Sequence, residues 1–270
     1  MLRNRTERFS SVRAVSLVLA VLFVVSWPLK LSLGLGVLGD SSGDPLNDRG
    51  YELLNKHDYT NAKKYFDTAI QRAPDQWRGY YNRAVLFHAQ NNLQAALADL
   101  NTTIRLEPAF FGASWMRAIV YRQLHNYAAC LKDLNALAKV TPQVKNWGEL
   151  ALTLNSRAWL YATCPEASFR NGQLAVADAK TACEIENWKR SGSIDTLAAA
   201  CAEAGDFNSA VRYEEQAITL NKSGSDEEAK STSRELAKEF ANRNPQRLQD
   251  FSRRLESYKQ HRPYRDTPGR

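Results

Sequence analysis

The side chains that could support catalysis or hold a metal are few and poorly spaced for either. The 270 residues include four histidines and four cysteines, with no C-x-x-C pair. His57 and His125 each lack a second candidate ligand at i+4 or nearby, and zinc needs several ligands together. No H-E-x-x-H, G-x-S-x-G or G-x-x-x-x-G-K motif is present. The sequence therefore predicts no enzyme activity, no metal and no cofactor.

The cysteines have the character of small apolar side chains. Three of the four occupy small-residue positions of predicted helices, where a thiol packs like an alanine. We expect buried free thiols, with Cys164 the most reactive because it lies in a long turn. Disulfide pairing is the alternative, because export would place the chain in an oxidising compartment. The cysteines are Cys130, Cys164, Cys183 and Cys201.

One glycine pattern suggests nucleotide binding but lies in an unsuitable place. Gly34-Leu-Gly36-Val-Leu-Gly39 matches G-x-G-x-x-G, which binds a pyrophosphate only between a strand and a helix. Here the pattern lies in an apolar segment and leads into the linker-like residues 40–45. We interpret the match as chance.

The N-terminus is typical of an export signal or a membrane anchor. An uncharged run over residues 14–27 follows four arginines, and Pro28 and Lys30 interrupt the apolar stretch that continues to Leu38. A charged region before an apolar one is recognised by the secretion machinery, and the whole stretch is long enough to span a membrane. We expect residues 1–40 to anchor the protein in the cell membrane, with the rest on the extracytoplasmic side. The alternatives are cleavage before Asp40, giving a secreted or periplasmic protein, and a soluble protein with a frayed apolar tail.

The positive charge is concentrated at the two ends of the chain. The net charge is +7, yet residues 14–244 contain 25 basic and 25 acidic residues. A nucleic-acid-binding repeat protein would carry a basic stripe along its repeats. The charge pattern therefore argues against nucleic acid as a partner.

Three prolines reveal a repeat. Pro74, Pro108 and Pro142 stand 34 residues apart, and each closes a segment with two short amphipathic helices. The turns inside these segments also recur, with polar residues at His57, Asn91 and His125. A 34-residue period with a mid-repeat alanine and a terminal proline resembles the tetratricopeptide repeat (TPR) family, bacterial type with an N-terminal signal or anchor.

The resemblance implies an all-α superhelical solenoid of about five helix hairpins with C-terminal capping helices. The array covers 41–224 and is followed by capping helices and a basic tail over 225–270. The fourth unit is stretched by a turn about five residues longer than the others. We expect Arg243-Asn-Pro245 to separate two capping helices, Arg254 to belong to the polar outer side, and the last ten residues to be loosely ordered. The units are 43–76, 77–110, 111–144, 147–188 and 191–224.

An arginine and an aspartate recur at fixed positions of units two to four. The arginine lies on the first helix of each unit and the aspartate on the second, so we predict half-buried ion pairs that fix the register of the two helices. The pairing continues into the stretched unit, which favours one continuous solenoid. The predicted pairs are Arg83–Asp99, Arg117–Asp133 and Arg157–Asp178.

The TPR resemblance also implies a concave groove lined by the first helix of each unit. Aromatic, asparagine and arginine side chains on this face suit a peptide ligand, although packing between adjacent helices would produce the same pattern. Family members that grip a terminal carboxylate use paired lysine and asparagine; only Asn82 matches, and Asn47 stands where the lysine should be. The predicted partner-binding residues are Asn47, Tyr51, Asn55, Arg78, Tyr81, Asn82, Val85, His88, Trp115, Ile119 and Arg122.

The sequence thus predicts a non-enzymatic interaction module. We expect a membrane-associated scaffold or assembly factor that binds a peptide or helix of a protein partner in the groove. The alternative is a structural, self-associating repeat protein without a dedicated peptide ligand.

Overall fold

The computed structural model describes residues 44–143, 146–223 and 234–266, with the side chains of all of these except 234–244. The predicted anchor and the glycine pattern at 34–39 lie outside the described residues. Within the described ranges, no helix combines the length and the apolar character needed to cross a membrane.

The described residues form eleven α-helices that pack as five consecutive hairpins and a capping helix. The first ten helices pair in chain order, and α11 packs against α10 and α9. The predicted all-α TPR solenoid is confirmed. The helices are α1 Pro45–Asn55, α2 Tyr59–Arg72, α3 Trp77–Ala89, α4 Leu93–Leu106, α5 Phe111–Gln123, α6 Tyr127–Val140, α7 Trp147–Thr163, α8 Gly172–Ile185, α9 Ser191–Glu203, α10 Phe207–Lys222 and α11 Arg234–Lys259.

The turn inside hairpins 1, 2, 3 and 5 is built the same way each time. His57, Asn91 and His125 have φ of 60°, 58° and 58°, a left-handed conformation that histidine and asparagine tolerate better than most residues. Gly205 takes the corresponding place in hairpin 5, with φ of 85°. The next residue caps the second helix, as Asp58 does by accepting a bond from the Asn61 N–H. The interpretation of the two histidines as turn residues is confirmed.

The core runs without interruption through the stretched fourth unit. One cluster of buried apolar residues joins hairpins 1 and 2 to α5, and another joins α5, α6 and α7. A third extends from α7 to α11. Alanines at 84, 118, 158 and 198 are fully buried where paired helices approach closely. The chain is therefore one continuous solenoid over the described ranges, as the repeated arginine and aspartate predict.

The three predicted ion pairs between paired helices are confirmed. In each, the guanidinium bonds both carboxylate oxygens of the aspartate, and the arginine side chain is about one fifth exposed. This two-point contact fixes the register of the hairpin. The shortest separations are 2.8 Å for Arg83–Asp99, 2.7 Å for Arg117–Asp133 and 2.7 Å for Arg157–Asp178.

Each of these arginines also reaches the preceding hairpin. The remaining guanidinium nitrogen donates to a side chain on the second helix of the unit before, so one arginine joins three helices. The additional acceptors are Asp67 for Arg83 at 2.7 Å, Asn101 for Arg117 at 2.9 Å and Asn135 for Arg157 at 2.9 Å. The arginines thus set the stacking of the hairpins as well as their internal register.

The cap differs from the sequence prediction in two ways. Residues 234–259 form one helix with Pro245 inside it, so the expected break at Arg243-Asn-Pro245 is wrong. Proline removes one helical hydrogen bond, and the helix continues because Phe251 and Tyr258 pack into the core on its far side. Arg254, expected on the outer side, is 2% exposed and faces the array, since it shares the helix stripe of these aromatics.

All four cysteines are free and buried. Burial raises the pKa of the Cys130 thiol to about 12 and that of Cys201 to about 11. Cys164 is 2% exposed despite its long turn, and burial raises its pKa too. The long turn thus leaves Cys164 buried, and its place as the most reactive of the four cysteines stays a prediction.

We expect the native protein to react slowly with a thiol reagent at neutral pH and to react at all four cysteines in denaturant, because only the thiolate is nucleophilic. Mass measurement with and without reductant tests the free state. Rapid modification of Cys164 in the native protein, or a reductant-dependent mass, would contradict this prediction.

Candidate functional site

The first helices of the five hairpins share one repeated face, which we call the A-helix face. Its positions follow the i, i+4, i+7 spacing that places residues on one side of a helix. From α1 to α9 the aligned residues are Asn47, Tyr51 and Leu54; Tyr81, Val85 and His88; Trp115, Ile119 and Arg122; Asn155, Trp159 and Ala162; and Asp195, Ala199 and Ala202.

Most of the predicted partner-binding residues are buried within the chain. Tyr51 and Arg78 are half-buried and Asn55 is exposed, so these three offer the most accessible surface of the set. Their role in partner binding stays a prediction. The buried residues are Asn47, Tyr81, Asn82, Val85, His88, Trp115, Ile119 and Arg122.

Aromatic packing and a hydrogen bond between two asparagine side chains join hairpins 1 to 3 along this face. Phe110 lies 4.3 Å from Trp77 and 4.8 Å from Tyr81, measured between ring centroids. Asn82 donates from Nδ2 to Asn47 Oδ1 at 3.0 Å. The two asparagines at the carboxylate-gripping positions thus bond to each other.

Side-chain hydrogen bonds also join α3 to α5 and α5 to α7. His88 Nε2 lies 2.8 Å from Gln123 Oε1, and burial lowers the histidine pKa to about 4. The ring is therefore neutral at pH 7. Trp115 donates from Nε1 to Ser156 Oγ at 3.1 Å. These predicted site residues hold neighbouring first helices together.

The chain after α11 turns back toward this face. A backbone bond from Arg262 N–H to Ser257 O ends the helix at 2.9 Å, and the His261 ring stacks on Phe207 with centroids 5.0 Å apart. Arg265 Nη1 then lies 2.7 Å from Glu203 Oε2 at the end of α9. We call residues 262–266 the return segment.

The return segment ends on α7 and α5. The Asp266 carboxylate pairs with Arg122 and accepts a bond from Trp159 Nε1 at 3.0 Å. Its backbone N–H donates to Thr163 O at 2.8 Å. Asp266 is 6% exposed and Arg122 7%. The expected loose order is therefore wrong for residues 261–266, because a buried counter-charge holds the aspartate.

A buried charged cluster lies beside this contact. Arg254 Nε is 2.6 Å from Asp195 Oδ1 and 3.8 Å from Glu214 Oε1, and the guanidinium lies 5.6 Å from the centre of the Trp159 ring. Burial and the Asp195 charge hold the pKa of Glu214 well above its usual range. The closest ion pair of the cluster is therefore the one between Arg254 and Asp195.

The comparisons with known proteins agree with the geometry. A family model described as a tetratricopeptide repeat matches residues 47–109, which include most of α1 and all of α2 to α4. A solved structure described as a tetratricopeptide repeat protein from Parabacteroides merdae ATCC 43184 superposes with a TM-score of 0.54 at 17% identity, covering 80% of this chain and 95% of that one. The chain therefore contains tetratricopeptide repeats and has the fold of such proteins. A second solved structure, titled MamA RS-1 ArsTM double mutant, superposes with a TM-score of 0.51 at 14% identity, covering 66% of this chain and 93% of the other.

Two curated proteins are similar to part of this TPR chain. Stress-induced-phosphoprotein 1 of Caenorhabditis elegans is 30% identical over 82 residues, and Hsp70-Hsp90 organizing protein 1 of Glycine max is 31% identical over 67 residues. The aligned parts are 30% and 25% of this chain but only 26% and 12% of the two relatives. The similarity therefore concerns the repeat and not the whole of either relative.

The TPR pattern gave no indication of the contacts made by Arg254 and Asp266. A signal for Arg254 was present, since it lies three residues after Phe251 and four before Tyr258, on one helix stripe. Asp195 is likewise the one charged residue between Ser191 and Ala202. No such signal marks Asp266, whose partners stand 144 and 107 positions away.

Among the described residues, no group of three or more His, Cys, Asp or Glu side chains is placed to hold a metal.

Proposed function

We propose that this TPR protein is a non-enzymatic interaction module that binds an extended peptide or a helix of a protein partner along the A-helix face. One observation carries the proposal: α7 and α5 already hold a non-helical segment of this chain through a carboxylate and a backbone amide. The relatives support it in kind, since one is titled an organizing protein for Hsp70 and Hsp90. The neutral charge of the repeats favours protein over nucleic acid.

The test uses the accessible part of the face. A photo-crosslinking amino acid at Asn55 lies one turn after Tyr51, at the exposed end of this face, whereas one at Lys64 lies on the exposed side of α2 and is the matched control. In membranes that contain the full chain, we expect a crosslinked partner at position 55 and none at 64. Tyr51→Ala with Arg78→Ala should reduce that product while the oligomeric state is unchanged, because both side chains are only half-buried.

Two results would contradict the proposal. Equal crosslinking at positions 55 and 64 would show no preference for this face. A product made of two copies of the chain would favour the alternative, a self-associating structural protein.

We further propose that the N-terminal segment tethers the array to the cell membrane on the extracytoplasmic side, as a scaffold or assembly factor. The support is the sequence alone, with arginines before a long apolar run. The full chain should sediment with membranes and a chain lacking residues 1–40 should not. A mature N-terminus at Asp40 would instead indicate a cleaved signal and a periplasmic or secreted protein.

A further inference from the structure

The return segment reaches the A-helix face from outside the five hairpins. It begins after the cap and crosses from the end of α9 to α7 and α5, so that Asp266 meets a residue 144 positions earlier. It thereby occupies α5 and α7 at positions aligned with Val85 and His88, which the sequence predicts to bind a partner. A segment of this chain lies where the proposed ligand would lie.

The contact at its end can recognise an acidic residue of an extended chain. Arg122 supplies positive charge, Trp159 supplies an indole N–H to the carboxylate, and Thr163 O accepts the backbone N–H of the same residue. A charged hydrogen bond in a buried place is stronger than one in water, and the backbone bond requires a main chain at this position. The site therefore selects a peptide aspartate over a free anion.

The other holding contacts are only partly buried. His261 is exposed, and Arg265 keeps 34% of its side chain in solvent while it pairs with Glu203. Tyr264 is half-buried, with its ring 5.9 Å from that of Trp159 between centroids. A partly solvated ion pair contributes little to stability. The cap itself is anchored separately, since Phe251 and Tyr258 are at most 1% exposed in the core. The return segment can therefore leave while α11 stays in place.

We propose that residues 262–266 are a built-in ligand of the A-helix face, and that the partner displaces them with a carboxylate of its own at Arg122, Trp159 and Thr163. This inference rests on the proposed function. It adds that the partner must supply a carboxylate, and that the return segment controls access to the A-helix face. A tethered ligand acts at a high effective concentration, so a short peptide alone competes poorly. A partner that also contacts hairpins 1 and 2 has the additional surface needed to displace it.

The test is a binding titration with a fluorescent peptide of residues 260–266, amidated at its C-terminus so that the aspartate side chain is its one carboxylate. The full chain is compared with Asp266→Asn, with Asp266→Asn plus Arg122→Gln, and with Glu256→Gln. Glu256 is 64% exposed on α11, so Glu256→Gln controls for the lost negative charge. Circular dichroism establishes that each variant is folded.

We expect the peptide to bind Asp266→Asn about tenfold or more tightly than wild type, because the competing carboxylate is gone. Glu256→Gln should behave as wild type, and the added Arg122→Gln should abolish the gain. A peptide with asparagine at its last position should bind weakly to every variant. Equal binding of the aspartate peptide to wild type and Asp266→Asn would overturn the proposal and leave the segment a fixed part of the cap.

Hydrogen exchange of the wild-type chain provides a test that needs no variant. The Asp266 amide should exchange through a local opening, faster than the amides of α9. Exchange of Asp266 only with global unfolding would overturn the proposal. A dimer that dissociates in Asp266→Asn would also overturn it, because the segment would then bind a second copy.

The two proposals can fail separately. Suppose that position 55 crosslinks to a partner but the affinity for the peptide is the same in wild type and Asp266→Asn. The proposed built-in ligand is then wrong, and the proposed interaction module stands. Suppose instead that the peptide binds Asp266→Asn more tightly than wild type but position 55 crosslinks to no partner. The face then holds only its internal ligand, and the proposed function is wrong.

Discussion

Replacing Arg254 by methionine is expected to lower the free energy of unfolding by about 3–5 kcal/mol at neutral pH, the range for breaking a buried ion pair on one side. Methionine fills much of the same volume, so little of the loss comes from a cavity. The cost arises because Asp195, fully buried and 2.6 Å from the guanidinium, loses its counter-charge. Urea titration of the purified chain measures the change.

The neighbouring arginine is the control. Arg253 lies one position away on the same helix, but its side chain is 68% exposed and pairs with Asp250 at 3.5 Å. Arg253→Met should therefore cost at most about 1 kcal/mol. Adding Asp195→Asn to Arg254→Met should recover part of the loss, since it removes the uncompensated charge. If the two arginine variants were equally stable, the cluster would not support the cap.

The pH dependence has a definite sign. Burial already raises the pKa of Asp195 in the intact chain, and the Arg254 charge opposes that shift. Removing Arg254 therefore raises this pKa further above the unfolded value of about 3.9. A carboxyl group whose pKa is raised on folding favours the native state least at high pH. The deficit of Arg254→Met should therefore grow from pH 5 to pH 8. A deficit independent of pH would contradict the assignment of the cost to Asp195.

Gly172→Ala is expected to destabilise the chain by about 1–3 kcal/mol, the usual range for forcing extra atoms into a packed site. A Cβ at this position would lie 2.6 Å from the Ala204 nitrogen and 2.7 Å from its Cα. These are backbone atoms just after α9, so no side-chain rotation relieves the clash. The higher helix propensity of alanine offsets only about 0.5–1 kcal/mol.

Gly148 provides the matched control, because it also lies in the first turn of a helix. A Cβ there would come no closer than 3.8 Å to Asn146 Oδ1. Gly148→Ala should be neutral or more stable by up to about 1 kcal/mol, since it reduces the freedom of the unfolded chain. Urea midpoints with unchanged slope give both values. Equal midpoints for the two variants would contradict the close approach of α8 to α9.

The sequence predictions that were confirmed concern residues close to one another along the chain. His57, Asn91 and His125 each occupy a left-handed turn position, and such a position depends on residues immediately next to it. The arginine and aspartate pairs were predictable for a related reason. Arg83 and Asp99 stand 16 residues apart, within one hairpin whose geometry repeats, so one unit informs the others.

The partner-binding residues were harder to assign. Tyr81 and Trp115 were selected because aromatic side chains suit a peptide surface, yet they are 1% and 2% exposed. Periodicity places a residue on one side of a helix, and it does not distinguish a face covered by the next helix from a face open to a ligand. Exposure in the folded chain singled out Asn55, Tyr51 and Arg78 instead.

By itself the sequence determined the class of fold, the number and period of the hairpins, their turns and their internal ion pairs, because these depend on residues close along the chain. Only the tertiary structure decided the path of the cap and the return segment. Pro245 indicated a break that packing overrides, and Asp266 reaches Arg122 across 144 positions. Contacts between residues so far apart in sequence depend on how all the intervening hairpins stack. A pattern of neighbouring residues does not contain that information.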